Sequence, residues 1–422
     1  MHAASLGGRK SVKGNPNPVL LFSNARVRGG AEEHMLQLLA GLDRRLFQPH
    51  LACSPELAEK IRHDLPEDVR LAEVRLEGLA DVQGALALAR AIRLWKISIL
   101  HSHMFYSSLF ASPVGRICQV PVIIETSHGR EVWRTGRIKS KFFIDRVAGH
   151  FVDGYIAVSG ATARYLIDAK RIPSRKVEVI APALDLNHYS PDRREPAGLR
   201  RKLDFGEKDP ILLVVGRLEP QKGHRILIDA MPSVLREFPT ARLVCLSEGS
   251  LRTDLEDQVA KNGLNASVRF VGYQPDLRDW LALADITVLP SFYEGLPLVA
   301  IESMAAGRTI VATAVDGTPE VVLDGKTGLT VPPGDPASLA RSICRLLGDP
   351  ALRHAMAQAG REFVLERYSI KTLLHQTQAF YWRVWEQKNN GRSFVGTTEK
   401  SLSVGTPVYR ENSRAVEEST DE

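Results

Sequence analysis

Ile211-Leu212-Leu213-Val214-Val215-Gly216-Arg217-Leu218-Glu219-Pro220-Gln221-Lys222-Gly223 is the stretch on which the reading of the fold turns. Five apolar residues, three of them leucine or isoleucine, read as a buried parallel strand. A loop with glycine at each end follows and leads into a helix. Glycine permits close backbone approach. The loop carries two cations five residues apart, Arg217 and Lys222. Arginine forks onto phosphate oxygens and lysine supplies a compact charge, which suits a diphosphate that gains negative charge as it leaves. An isolated R-x4-K is equally well a polar turn with solvated charges. Its place at a strand's end favours the functional reading.

Outward from this stretch the same pattern recurs. Strand-like runs fall at Val19 to Ser23, His50 to Cys53, Ile97 to His101, Val120 to Glu125 and Gly154 to Val158. They resume at Ile211 to Val215, Arg242 to Leu246, Val268 to Val271, Ile286 to Leu289 and Thr309 to Ala312. Helical periodicity lies between them, as in Met35, Leu38, Leu39 and Leu42. Strands alternating with helices predict parallel sheets covered on both faces. At 422 residues the chain is too long for one core. Asp185 to Asp209 is polar, holds Pro191 and Pro196 and lacks periodicity. The expected organisation is α/β: a tail at 1–17, a Rossmann-like domain at 18–190, a linker at 191–208, a second such domain at 209–367, a helix at 368–388 and a tail at 389–422. Ligands in such sheets bind beyond the carboxyl ends of the strands, so two facing domains would hold the site in a cleft.

A second motif, Ser291-Phe292-Tyr293-Glu294-Gly295-Leu296-Pro297-Leu298-Val299-Ala300-Ile301-Glu302, also follows a strand. Pro297 suits the first turn of a helix running to Ala306, which would turn the amides of Gly295, Leu296 and Leu298 towards an anion. Glu294 on the loop and Glu302 on the helix suit hydroxyl binding better than an acid/base pair. Glu302 also reads as an ordinary solvated helix residue, against which stand its neighbours Val299, Ile301 and Ala305.

Together these two segments resemble the retaining GT-B glycosyltransferases of family 4 (group 1 glycosyltransferases), with a G-R-L-x-P-x-K-G segment and an E-x7-E spacing. Gly317-Thr318-Pro319-Glu320 and Gly325-Lys326-Thr327-Gly328 also look like that family. The resemblance implies a nucleotide-diphosphate sugar donor held by Arg217 and Lys222 at the diphosphate, Glu294 at the sugar and Glu302 at the ribose. It implies donor contacts from Gly216, Gly249, Gly295, Leu296 and Pro297, and backbone around Gly272-Tyr273 at the base. Gly29 and Gly30 match a glycine loop near phosphates and acceptor, and His128 a histidine near the reacting sugar. Catalysis would rest on Glu294, His128, Lys222 and Arg217, with no cofactor. The final helix would cross back to the first domain. One departure is Ser247, in Cys245-Leu246-Ser247-Glu248-Gly249, where relatives carry the first glycine of a G-x-G turn.

The remaining features bound the function. A net charge of +6 over 422 residues is mild and does not argue for nucleic acid. Cys53, Cys118, Cys245 and Cys344 are far apart and lack metal-ligand spacing, as befits buried thiols in a reducing compartment. With no signal-like leader and no long apolar run, a cytoplasmic enzyme is expected. Gly325-Lys326-Thr327 lacks the earlier glycine of a phosphate-binding loop, since Glu320 stands there. His101 and His103 share a strand face, but with no third ligand nearby they read as cleft-lining histidines and no metal is expected. No D-x-D segment offers a metal-dependent alternative. Arg130 to Arg146 interleaves Arg130, Arg134, Arg137, Lys139, Lys141 and Arg146 with Trp133, Phe142, Phe143 and Ile144. It could rest on an anionic membrane, hold an acidic acceptor, or form an ordinary solvated helix face with its apolar side in the core. The acceptor would be a glycan, a lipid-linked sugar or a small molecule. The rival readings are a nucleotide-sugar epimerase or hydrolase on this architecture, and a catalytically idle subunit.

Overall fold

A computed structural model of the chain describes residues 16–78, 81–131 and 143–389. Among the described residues thirteen strands form two all-parallel sheets. The first holds β1 (Asn17–Ser23), β2 (Phe47–Cys53), β3 (Arg70–Glu73), β4 (Ile99–His103), β5 (Val122–Ser127), β6 (Gly154–Ala157) and β7 (Val177–Val179), in the order β3-β2-β1-β4-β5-β6-β7. The second holds β8 (Ile211–Val215), β9 (Arg242–Leu246), β10 (Val268–Gly272), β11 (Ile286–Leu289), β12 (Thr309–Thr313) and β13 (Leu329–Val331), in the order β10-β9-β8-β11-β12-β13. Helices cover both sheets. This is the two-sheet GT-B architecture that the sequence predicts.

The period of two sorts each strand between two cores. Val19 and Leu21 face a cluster with Met35, Leu38 and Leu39, while Leu20 and Phe22 face a separate one with Leu88 and Phe110. In the second sheet Leu212 and Val214 pack with Leu227 and Ile343, and Ile211 and Leu213 with Trp280 and Phe205. Strands buried on both faces must be continuously apolar, which is why Ile211 to Val215 is legible as one.

Several expectations need correction. Strands β3, β7 and β13 escape the sequence reading. All three are edge strands of three or four residues, too short to leave a readable apolar run, and β3 and β7 are also little buried. Strands β4 and β5 start and end two residues later than expected, because His101, Ser102 and His103 pair with β5 despite their polarity. Asn17, expected in the tail, opens β1 and donates to the Leu46 carbonyl at 3.0 Å. The helical pattern from Leu365 to Trp385 is broken at Tyr368 and Ser369, giving helices Pro350–Arg367 and Ile370–Asn389. Ser369 Oγ accepts from the Thr372 amide at 3.2 Å and so starts the second helix. That helix lays Leu373, Phe380, Tyr381 and Val384 onto the first sheet, crossing back as the resemblance implies. Gly154 has no Cβ because one would press on the Phe380 ring. Cys53, Cys245 and Cys344 are buried free thiols, and Cys118 is half-buried. No described helix is long and apolar enough to cross a membrane.

Strand order reverses between β1 and β4 in one sheet and between β8 and β11 in the other. The loops leaving these four strands flank the two switch points, where doubly wound sheets bind ligands.

Candidate active site

The two motifs of the second sheet meet at the switch between β8 and β11. After β8 the chain turns through Pro220–Lys222 to Gly223, whose φ of 66° is left-handed. A side chain at Gly223 would collide with the Pro290 carbonyl, so only glycine lets the two loops touch. The Phe292 amide donates to the Gln221 carbonyl at 2.8 Å, and Gln221 Nε2 donates to the Tyr293 carbonyl at 2.9 Å. Stitched this way, the loops bring Lys222 Nζ to 2.6 Å from Glu294 Oε1. Ser291 Oγ donates to the same oxygen at 2.7 Å. The lysine stem lies over Gly216, where a Cβ would press on it. Glu294 is only 8% exposed, so this pair acts with little water around it.

Around that pair the expected residues are spread unevenly. Arg217 is exposed and has no ion-pair partner among the described residues. Leu296 and Pro297 are buried, and Pro297 is the cap of helix Leu298–Ala305 rather than its first turn. No side chain caps that helix, which leaves its first amides open to an anion. Tyr273 is 64% exposed. Gly249 answers to packing: a Cβ there would overlap the Leu218 backbone. Ser247 sits at φ 110°, a conformation that favours glycine, so the departure noted in the sequence coincides with a strained backbone.

Glu302 accepts a hydrogen bond from the Tyr189 hydroxyl at 2.8 Å. Burial pushes its carboxyl up to about 7, and the Tyr189 bond only partly offsets this. Because the folded-state value lies above the unfolded one, the stabilisation from a protonated Glu302 is complete at acidic pH. It is lost as pH rises through 7. Glu302→Gln, always neutral and able to accept from Tyr189, should therefore gain melting temperature relative to the parent at pH 8 and show little difference at pH 5. Parallel melting curves across that range would refute the assignment.

The first sheet supplies the opposite wall. Gly30, at the start of helix Gly30–Gly41, faces Leu298 closely enough that a Cβ would press on its side chain. The Gly29 amide donates to Glu32 Oε2 at 3.1 Å. His128 and Gly129 lie against Gly295, where a Cβ would collide with the His128 carbonyl. Asp316 Oδ2 accepts from the Glu294 amide at 3.0 Å, while its Oδ1 pairs with Arg130 Nε at 2.8 Å. Farther along, both Glu320 carboxylate oxygens accept from the Gly160 and Ala161 amides at 2.8 Å. Arg130, for which the sequence left a membrane surface, an acidic acceptor and plain solvent open as partners, is instead a clasp between the two halves. Residues 132–142 of that segment lie outside the described residues.

The histidines also depart from expectation. His101 Nδ1 meets the Tyr381 hydroxyl and Nε2 meets Thr126 Oγ1, both at 2.6 Å. His103 does find further imidazoles: its Nδ1 lies 3.2 Å from His128 Nε2, and His34 packs edge-on against both rings. Burial drives all four towards the neutral form, His34 to about 4, His101 to about 3, and His103 and His128 well below the ordinary value. Neighbouring imidazoles add to the effect for the last three. Sequence reasoning gave no role to His34, Tyr189, Ser291 or Asp316: Ser291 is three residues from Glu294, but Asp316 is 22 from it, Tyr189 is 113 from Glu302, and the histidines stand on separate elements. Asp316 carried a faint signal, as an aspartate before glycine in a turn; its φ is 43°.

Two family models match this chain: one described as "Glycosyl transferases group 1" over residues 197–363, and one described as "Glycosyltransferase Family 4" over 28–188. A glycogen synthase of Mycobacterium tuberculosis is 30% identical over 300 residues, covering 68% of this chain and 69% of that protein. The GDP-mannose-dependent alpha-(1-6)-phosphatidylinositol monomannoside mannosyltransferase of Mycolicibacterium smegmatis is 30% identical over 269 residues, covering 62% and 70%. Among solved structures, Anabaena HepE in complex with UDP and glucose superimposes with a TM-score of 0.74 at 20% identity, over 87% of this chain and 100% of that one.

Proposed function

The chain belongs to the group 1 glycosyltransferases of family 4, and from that membership we propose that it moves a hexose from a nucleotide-diphosphate sugar to an acceptor hydroxyl with retention at the anomeric carbon. The observation that carries the reading is the Lys222–Glu294 pair, held at 2.6 Å by two loops at a switch point. Relatives named for GDP-mannose and a neighbour bound to UDP and glucose support a nucleotide-sugar donor. Lys222 and the exposed Arg217 would take the diphosphate, and the uncapped helix Leu298–Ala305 would turn its amides to the same charge. Donor arrival then frees Glu294 from Lys222 to accept hydrogen bonds from sugar hydroxyls. Glu302 would hold the ribose and Tyr273 the base.

The sugar–oxygen bond to the diphosphate breaks first, and cations and amides stabilise the charge that leaves. The cation-like sugar is attacked by the acceptor hydroxyl on the face the diphosphate has just vacated. The hydroxyl proton passes to the departing phosphate oxygen, so no protein nucleophile is required. His128 and the Gly29-Gly30 loop form the acceptor-side wall.

The test is a thermal-shift screen against UDP, GDP, ADP and TDP and their sugar conjugates. One nucleotide series should raise the melting temperature of the parent and not of Lys222→Ala. At a ligand concentration of a hundred dissociation constants, binding stabilises by about 2.7 kcal/mol. Absence of any shift with folded protein at millimolar ligand would sink the donor-site reading.

A further inference from the structure

Three imidazoles from three separate elements converge behind the acceptor-side wall. His34 comes from helix Gly30–Gly41, His103 from the end of β4 and His128 from the loop after β5. One ring nitrogen from each lies within 4.8 Å of the others. His34 is 1% exposed and His103 fully buried. Among the described residues, both nitrogens of His34 and Nε2 of His103 lack a hydrogen-bond partner. A buried polar atom left unsatisfied is costly, and an ion would relieve one of the two His34 nitrogens, with His103 and His128 joining it through Nδ1 and Nε2.

The geometry suits a metal. With metal–nitrogen bonds of about 2.0–2.1 Å, a tetrahedral site sets its ligand nitrogens roughly 3.3 Å apart. His103 Nδ1 and His128 Nε2 are already 3.2 Å apart. Small rotations of His34 on its helix would close the remaining edges. The set contains no carboxylate, which argues against calcium and magnesium, whereas neutral imidazole suits zinc, nickel and copper.

We propose that His34, His103 and His128 form a binding site for one divalent transition ion of the zinc type, with water as the fourth ligand. Occupancy would tie the helix, the strand and the loop together. It would also engage the lone pair of His128, so a bound ion would take that ring out of the acceptor-side wall and inhibit transfer. The inhibition rests on the role proposed for His128 above; the binding does not.

The experiment uses the full chain without an affinity tag, stripped with chelator, then titrated with Co2+ and competed with Zn2+. Expected are one equivalent bound, the intense visible absorption of four-coordinate cobalt, and its loss on addition of Zn2+. Folded His34→Gln and His103→Gln should lose the band, whereas His63→Gln and His188→Gln, at exposed positions, should keep it. Because His34 and His103 are buried, X-ray absorption of the zinc-loaded parent provides a measure that needs no variant, and it should count three imidazoles. Substoichiometric binding, a band that survives in a folded His34→Gln protein, or fewer than three imidazoles would overturn the site.

Discussion

Lys222→Ala is expected to lower turnover by roughly a hundredfold or more, the range seen when one preorganised partner of a developing oxyanion is removed. Lys222 is fixed by its stem against Gly216 and by Glu294 and so arrives at the diphosphate with little freedom left to lose. Such preorganisation costs no rearrangement at the moment of bond breaking, and the interaction strengthens as charge builds. The loss should therefore fall on kcat and kcat/KM together rather than on KM alone. Glu294→Ala gives the contrast: turnover falls, yet binding of the free nucleotide diphosphate, followed by calorimetry, is nearly unchanged. Ser291 would keep a buried Glu294 partly satisfied in the lysine variant, so a cooperative melt is expected. Full activity in a folded Lys222→Ala enzyme would mean that the diphosphate lies elsewhere.

Gly295→Ala is the second large effect, expected to lower activity by about a hundredfold with only a modest loss of melting temperature. A methyl group there collides with the His128 carbonyl, a backbone atom that cannot rotate away. Either the two halves part or the Glu294 loop shifts. A displacement of about 1 Å at reacting groups costs on the order of a hundredfold in rate, whereas overpacking at one boundary costs about 1–3 kcal/mol of stability. Initial rates and melting curves on the same preparation separate the two. Wild-type rates in Gly295→Ala would show that the close approach of His128 to Gly295 is not needed for transfer.

The sequence made the repeating architecture readable because central parallel strands are buried on both faces and must be apolar throughout. Edge strands β3, β7 and β13 carry no such demand and stayed hidden. The site was legible where one loop holds its own chemistry, as in Arg217 to Lys222 and Glu294 to Glu302. It was illegible where function arises from approach. Nothing in the sequence placed Lys222 on Glu294, 72 residues away, or Tyr189 on Glu302. The glycines were visible as motif positions, yet their reasons differ: Gly223 and Gly295 make room for carbonyls of other loops, while Gly249 makes room for Leu218. The histidine cluster shows the same limit, since His34 sits in an unremarkable amphipathic helix and meets its partners only once three elements are assembled.

Two carboxylates from one loop region of the second half, Asp316 and Glu320, grip the first half at a guanidinium and at two backbone amides. The two amide hydrogen bonds are directional and short-ranged and are lost early as the halves separate, and the ion pair at the 42%-exposed Arg130 is screened by water and contributes little by itself. The joint behaves as a detent: it holds one angle firmly, then releases. Water must replace the amides' carboxylate and the guanidinium's partner in the same movement. Opening for substrate exchange is therefore closer to a switch between two positions than to free swinging about the connecting segments.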